Sequence, residues 1–520
     1  MKRIRRIFAV CVLAVSILIT ENPLSLTSFP VYASGVEDTA ARDEDKKEIQ
    51  TGDETAQDEE DDEAIGLQDS SYEYYIRKHA KANTDVPEFV VSAEAHMEEG
   101  GSFQLTVGVS KEGLYRIGVD YYPVEGRGQD IKQSLMIDGA YPFDEAEQFI
   151  LSRVWKDENE VTTDSDGNDL YPSQVQAPEW ITYYLSDSNG YYEEPFLFYL
   201  TEGEHTLRFT SLEEPLVIRS VLFAPEKKLP SYEEALADCR RAGYAEVSDY
   251  FYKRQAEDTD KKSSAMLSAV ADRSEPGVEP YDGLKIKLNV LGGGRFDTNG
   301  MWVEYTLEAP MDGLYRLAFK AKQNNMKDQS AYRNIYINGE LPFAEARNFP
   351  FAYSSEYENV IFGNEDGAYL VKLNKGENTV RLEASLGDIA DFCRDLEKSL
   401  KVLNSVYRKI VTITGTTPDV NRDYSLDSKM PDVIERFEEQ YETLAHISEQ
   451  MKDRYGKSTS YTAAIDALVL QLNRMYKNHY DIPANVSSFH TNLSALGSKV
   501  EEMKRTDITL DYIMVAGTEN

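Results

Sequence analysis

The residues best suited to chemistry gather between positions 155 and 192. Trp155, Trp180, Tyr183, Tyr184, Tyr191 and Tyr192 fall in one stretch of a 520-residue chain that holds only 3 tryptophans. Sugar rings present apolar C–H faces that stack on flat aromatic side chains, while nearby Asp, Asn and Glu accept hydroxyl protons. Trp180, Tyr183, Tyr191 and Tyr192 are therefore candidate carbohydrate-binding residues, with Trp302 as a fifth. A second reading stands beside this one. Alternating aromatics also fill cores, which suits Trp180, Tyr184 and Trp302, whereas Tyr191-Tyr192 follows the turn residues Ser188-Asn189-Gly190. In the same stretch Asp164, Asp166 and Asn168 offer oxygen ligands at alternate positions, an arrangement that suits Ca²⁺. Gly167 comes two places early for an EF-hand loop and Val175 stands where its twelfth, acidic ligand belongs, so a solvated turn explains these residues equally.

Catalytic signals are poor. His79, His96, His205, His446, His479 and His490 are scattered and form no ligand motif, and no G-x-S-x-G is present. Carboxylates are too numerous for a glycosidase pair to be singled out. Gly292-Gly293-Gly294 precedes a strand rather than a helix, which argues against a phosphate cradle. No enzyme is expected. A formal net charge of −36 excludes nucleic acid as a partner and disfavours anionic membranes.

An internal repeat positions these residues. Glu112-Gly113-Leu114-Tyr115-Arg116 returns 200 places later as Asp312-Gly313-Leu314-Tyr315-Arg316, and Ile137-Asp138-Gly139 with Pro142-Phe143 returns as Ile337-Asn338-Gly339 with Pro342-Phe343. Gly203-Glu204-His205-Thr206-Leu207-Arg208 returns only 173 places later, as Gly376-Glu377-Asn378-Thr379-Val380-Arg381. The first copy thus holds 27 extra residues (200 less 173), and the Asp164 turn and the Trp180–Tyr192 aromatics fall among them, whereas Trp302 belongs to the second copy. Period-2 alternation and Asp-Gly or Asn-Gly turns read as antiparallel strands of a two-sheet sandwich. Helical spacing takes over at Ile389, Phe392, Leu396, Leu403, Tyr407 and Ile410. Further stripes at Ile434–Tyr455, Ile465–Met475 and Val486–Met503 complete a four-helix bundle. Strand character then returns from Ile508 to Val515, as the missing last strand of the second sandwich.

The expected plan is a signal peptide over 1–33, with basic Lys2, Arg3, Arg5 and Arg6 before a short apolar run. An acidic disordered linker follows over 34–70. The first sandwich spans 71–228 and a helical connector 229–280. The second sandwich takes 281–386 and 507–517, with the bundle inserted over 387–506. The fold class is mainly β plus α, and the location extracellular or cell-surface. Cys239 and Cys393 are expected as free, buried thiols.

The Asp-Gly-Leu-Tyr-Arg and Gly-Glu-[His/Asn]-Thr strands resemble the galactose-binding-like jelly-roll sandwiches of carbohydrate-binding modules. Over nearly the whole mature chain the sequence is similar to the N-terminal half of large extracellular solute-binding proteins of Gram-positive bacteria. The matching stretches are Gly190-Tyr191-Tyr192-Glu193-Glu194-Pro195, Arg333-Asn334-Ile335-Tyr336-Ile337-Asn338-Gly339, Thr414-Gly415 with Pro418-Asp419 and Arg422-Asp423-Tyr424, and Leu510-Asp511-Tyr512-Ile513. In that family a further binding domain delivers sugars to an ABC importer, and this sequence ends at Asn520 without it. The resemblance implies a secreted glycan- or oligosaccharide-binding protein of sugar-uptake type, with an ABC permease or cell-wall component as a further partner. The alternative is an extracellular scaffold protein that binds no glycan.

Overall fold

The structure, a computed structural model, describes residues 70–519. The expected signal peptide and all of the expected acidic linker except its last residue lie outside the described residues. The chain is mixed β and α, with antiparallel sheets followed by a helical bundle over about 390–503. No described helix is long and apolar enough to cross a membrane.

In the first sandwich the strands are β1 (Phe89–Met97), β2 (Ser102–Val109), β3 (Gly113–Pro123), β4 (Ile131–Ile137), β5 (Phe149–Leu151), β6 (Ile181–Tyr184), β7 (Leu197–Leu200), β8 (Gly203–Glu213) and β9 (Leu216–Ala224). One sheet runs β1-β9-β3-β6, with β7 also on β3, and the other runs β2-β8-β4-β5. Tyr115, Ile117, Val119 and Tyr121 point from β3 into the core, packing with Leu207 and Phe209 from β8. Arg116, Gly118, Asp120 and Tyr122 alternate with them and so face outward.

The second copy uses β10 (Phe251–Gln255), β11 (Val290–Gly293), β12 (Trp302–Ala309), β13 (Gly313–Lys322), β14 (Ala331–Ile337), β15 (Phe349–Phe351), β16 (Glu358–Ile361), β17 (Leu370–Leu373) and β18 (Gly376–Ser385). The bundle follows β18, and the chain then returns as β19 (Ile508–Ala516), which lies between β11 and β13. Leu510 thereby pairs with Ala321, and Tyr512 with Lys320.

Two features depart from the expected plan. Only α2 (Tyr232–Arg241) of the connector is helical; β10 and β11 both pair with β19, so the second copy's first strand is split around a long excursion. The aromatic run Tyr250-Phe251-Tyr252 favours strand over helix. The repeat also starts earlier than its sequence blocks. In α1 (Tyr72–Lys78) the Tyr72 N–H donates to Glu145 Oε2 at 2.8 Å, and Tyr72 Oη accepts the Leu197 N–H at 3.0 Å. In α2 Tyr232 repeats both bonds, to Glu345 at 2.8 Å and from Leu370 at 3.0 Å. The signal was Ser71-Tyr72-Glu73 returning as Ser231-Tyr232-Glu233. The repeated unit is a helix plus a sandwich.

The extra residues of the first copy do not form a separate loop. Trp155–Asp157 and Gln174–Gln176 pair with each other, and Trp155 pairs with Lys262, which pairs with Val303 of β12. The excess therefore extends a sheet of the second sandwich and joins the two copies.

The bundle consists of α3 (Ala390–Thr414), a short α4 (Leu426–Lys429), α5 (Pro431–Tyr455), α6 (Ser460–Lys477) and α7 (Ile482–Met503). Pro431 opens α5 and Gly456, at φ 63°, closes it. The four long helices pack in a ring, burying Leu396, Leu403, Phe437, Leu444, Leu468 and Phe489 among others. Both cysteines among the described residues are free; Cys393 is buried in α3, whereas Cys239, expected buried, is half-exposed because α2 lies on the surface with no buried residue.

Candidate functional site

The outer face of the first sandwich's larger sheet carries an aromatic and arginine platform. Trp180, just before β6, is 42 % exposed. Its ring centre lies 5.5 Å from that of Tyr122 on β3, and the Arg219 guanidinium from β9 sits 4.4 Å from the indole centre. Asp120, buried beside them, accepts from Arg219 Nε at 2.6 Å and holds that cation over the ring. Further along the face the Arg116 guanidinium lies 4.5 Å from the Tyr184 ring centre, fixed by a 2.7 Å bond from Nε to the Pro225 carbonyl. Glycine is required between them. A Cβ at Gly118 would stand 3.0 Å from Tyr184 Cδ1, so the missing side chain lets that ring lie across the strand. Three rings, two guanidinium groups and a carboxylate thus share one face. That combination suits a polyhydroxylated ring, with apolar contact below and donors and acceptors at its rim.

The other candidates are placed differently. Tyr183 alternates inward and packs on the core, and burial pushes its hydroxyl up to about 12. Trp302 is buried; its Nε1 donates to Ser152 Oγ of the first sandwich at 3.3 Å, and Arg381 lies 4.0 Å from its ring centre. Tyr191 is buried in the core of the bundle, with its N–H bonded to Asp187 Oδ2 at 2.7 Å. Tyr192 is half-buried, edge-on to Tyr72 at 4.9 Å. The turn that carries them, whose sequence left exposure and burial equally open, docks the first sandwich on the bundle, and Glu194 pairs with Arg347 of the second sandwich. A groove of about 410 Å³ remains there, its arginines engaged: Arg394 with Asp391 and Arg454 with Asp388.

The acidic turn is a latch between the two sandwiches. Asp164 Oδ1 accepts the N–H groups of Asp166 and Asn168 at 2.8 and 2.9 Å, and its Oδ2 accepts Asn168 Nδ2 at 3.0 Å. The Asn168 amide is foremost among the bonds that hold the Asp164 carboxyl below the usual carboxylate range. Asn168 Oδ1 in turn accepts the Ile286 N–H, and Asp169 pairs with Lys287 at 2.7 Å. Asp164, Asp166 and Asn168 therefore serve as turn and latch residues. Among the described residues no three Asp, Glu, His or Cys side chains gather as a metal site.

In the second copy the equivalent face is covered by the excursion before β11. Lys320 and Lys322 stand 200 places after Asp120 and Tyr122. Lys322 Nζ bonds Asp272 Oδ2 at 2.8 Å and lies 4.2 Å from the Tyr357 ring centre, while Lys320 reaches the Gly277 carbonyl. Only the first copy keeps this face open. Sequence patterning gave outward positions in both copies but no sign of which would be covered, because the cover comes from residues 40 to 50 places away.

Beside this cover, Glu257 Oε2 is buried without a hydrogen-bond partner. Burial, with Asp511, Asp258 and Asp169 adding to it, raises the Glu257 pKa from 4.5 to about 8. The unfolded chain ionises this group first, so its contribution to stability is fullest below about pH 4.5 and falls as pH rises towards 8. Glu257→Gln should flatten that fall, read as unfolding midpoint between pH 4 and 9. An unchanged slope would count against a protonated Glu257.

Comparison with known proteins matches residues 391–503 to the bacterial solute-binding protein, 4-helix bundle domain, family. No curated protein matches the sequence. Among solved structures, a family 35 carbohydrate-binding module from Clostridium thermocellum is 18 % identical, the match covering 26 % of this chain and 86 % of that one at a TM-score of 0.19. The tandem CBM22 domain of Paenibacillus barcinonensis Xyn10C is 12 % identical over 58 % of this chain and 85 % of its own, at 0.14. A β-glucosidase from Paenibacillus barengoltzii is 16 % identical over 26 % of this chain, at 0.15; the match spans only 10 % of that enzyme.

Proposed function

We propose that this chain is an exported carbohydrate-binding protein related to the solute-binding components of sugar-uptake systems, its glycan held on the open face of the first sandwich. The observation that carries this reading is Trp180, left 42 % exposed between Tyr122 and an arginine fixed by a buried aspartate. A large aromatic ring held rigid at a surface, with hydrogen-bonding groups converging on it, marks a binding face more than a packing accident. The family match of residues 391–503 supports the relation to solute-binding proteins. Both sandwiches are read as galactose-binding-like jelly rolls, the second retained as structure rather than as a second binding face. Export rests on the basic and apolar pattern of the first residues.

One stacking contact contributes about 0.5–1.5 kcal/mol beyond area burial, so binding should be weak, on the order of millimolar to tens of micromolar. The test is a glycan array followed by titration calorimetry on the best hit. Trp180→Ala should weaken binding roughly tenfold, and a calcium chelator should leave it unchanged because the Asp164 turn is closed by N–H groups. Undiminished binding by the Trp180 variant would remove the glycan from this face.

A further inference from the structure

The one long connection of the bundle builds a second concavity. Helices α5, α6 and α7 are joined through residues 456–459 and 478–481, whereas α3 and α4 are joined through residues 415–425. That loop is held by its own bonds. Tyr424 is buried, its Oη accepts the Asp419 N–H at 3.0 Å, and Lys429 Nζ donates to its carbonyl at 2.8 Å. Ser425 follows in the left-handed region at φ 52°, ψ 48°, a conformation that costs a non-glycine residue energy. Opposite the loop stand His479 and Tyr480, their ring centres 4.6 Å apart, with His479 Nε2 at 3.5 Å from Asp427. Between loop and pair lies a cavity of about 190 Å³.

The lining is mixed in a way that selects its ligand. Tyr480 is 65 % and Val420 62 % exposed, so apolar surface flanks the cavity uncovered. The carboxylates of Asp423 and Asp427 supply acceptors. Donors come from Asn421 and Arg422, whose side chains have no hydrogen-bond or ion-pair partner among the described residues; Arg422 only rests on the Tyr424 ring at 5.0 Å. Charges of both signs disfavour a polyanion and a polycation alike. The volume falls below the roughly 300–1,000 Å³ of drug-sized pockets.

We propose that this cavity is a saccharide site that takes one neutral pyranose unit, its C–H face on Tyr480 and its hydroxyls on Asp423, Asp427, Asn421 and Arg422. The 25 residues of α3 extend about 37 Å from root to tip, which separates the cavity from the sandwiches. The site does not depend on the Trp180 face.

The test is saturation-transfer NMR on the full chain carrying Trp180→Ala, which silences the first face. The probes are methyl pyranosides of glucose, galactose, mannose and xylose. At least one glycoside should receive saturation, and Tyr480→Ala should weaken it roughly three- to tenfold, with Arg422→Gln weakening it as well. Tyr480 and Arg422 are exposed, so both variants should fold. No transfer to any glycoside, or affinity unmoved by both variants, overturns the proposal. Failure of the Trp180 reading would show separately, as glycan-array binding unaffected by Trp180→Ala alone.

Discussion

Glu214→Ala should lower the unfolding free energy of the first sandwich by about 3–5 kcal/mol. Glu214 and Arg153 are 0 % and 1 % exposed, and their side chains meet at 2.7 Å. Glu214 also accepts the N–H groups of Arg127 and Gln129 at 3.0 and 3.3 Å. Arg153 donates to the carbonyls of Gln129 and Val124, each at 2.7 Å, and to Gln176 at 2.9 Å. The pair therefore ties the β3–β4 loop to the β8–β9 turn and to the extra strand that leads into the second sandwich. Taking away the carboxylate leaves a buried guanidinium without its directly bonded counter-charge, and that penalty dominates the expected loss. Arg153→Met combined with Glu214→Ala should regain part of it, because the stranded charge is then gone as well. Denaturant titration of the two variants checks this. A Glu214→Ala loss below about 1 kcal/mol would place the pair with ordinary surface bridges.

The sequence shows where burial recurs more readily than what covers it. Tyr115 and Tyr315, at matching places in the repeat, are both fully buried in their cores, and the helical stripe through Leu396, Leu403 and Ile410 lies inside the bundle. These follow from local period, and local period is legible. The Tyr191-Tyr192 turn was not, because the residues that enclose it come from α1 and from α3, more than 100 positions away in either case. The Asp164 turn was legible as a turn but not as a latch, since its partners Ile286 and Lys287 lie beyond a whole strand set. The platform was seen only in part. Trp180 stood out by its type, whereas Tyr122, Asp120 and Arg219 sit on strands whose pairing brings them together.

The two copies show how one scaffold divides its roles. His205 Nδ1 bonds Asp138 Oδ2 at 2.6 Å in the first copy, whereas in the second Asn338 Nδ2 donates to Asn378 Oδ1 at 3.0 Å; Asp138 Oδ1 and Asn338 Oδ1 each accept the next N–H, from Thr206 at 2.8 Å and Thr379 at 2.9 Å. Inward residues and hairpin bonds are thus kept. The outward face changes from Asp120 and Tyr122 to Lys320 and Lys322; Lys322 pairs with Asp272 and Glu275 of the excursion that covers the face, and Lys320 bonds its Gly277 carbonyl and pairs with Asp511 of β19. Divergence falls on residues that the core does not constrain, which frees one copy to act as framework for the other.

Arg333→Met should cost about 3–5 kcal/mol, because three carbonyls lose their donor at about 1–3 kcal/mol each, and should loosen the bundle at its root before anything else. Arg333 is fully buried with no carboxylate within bridging distance among the described residues, and burial pulls its pKa down to about 9. Its guanidinium donates to the carbonyls of Tyr332, Phe296 and Thr506 at 2.7, 3.0 and 2.8 Å and lies 4.0 Å from the Phe296 ring centre. Thr506 is where the chain leaves the bundle for β19. Its entry is gripped by the neighbouring residue, since a Cβ at Gly387 would fall 2.3 Å from Tyr332 Cγ. Adjacent residues of β14 thus hold both ends of the insertion. Methionine fills much of the space but donates nothing, which leaves three carbonyls short of a partner. Lysine keeps the charge without the planar fork, so Arg333→Lys should recover only part of the loss. Hydrogen exchange is the measurement that separates a hinge from a general core defect. In Arg333→Met the Thr506 and Ile508 amides should exchange faster while those of β3 stay protected, and uniform loss of protection would assign Arg333 to the core alone.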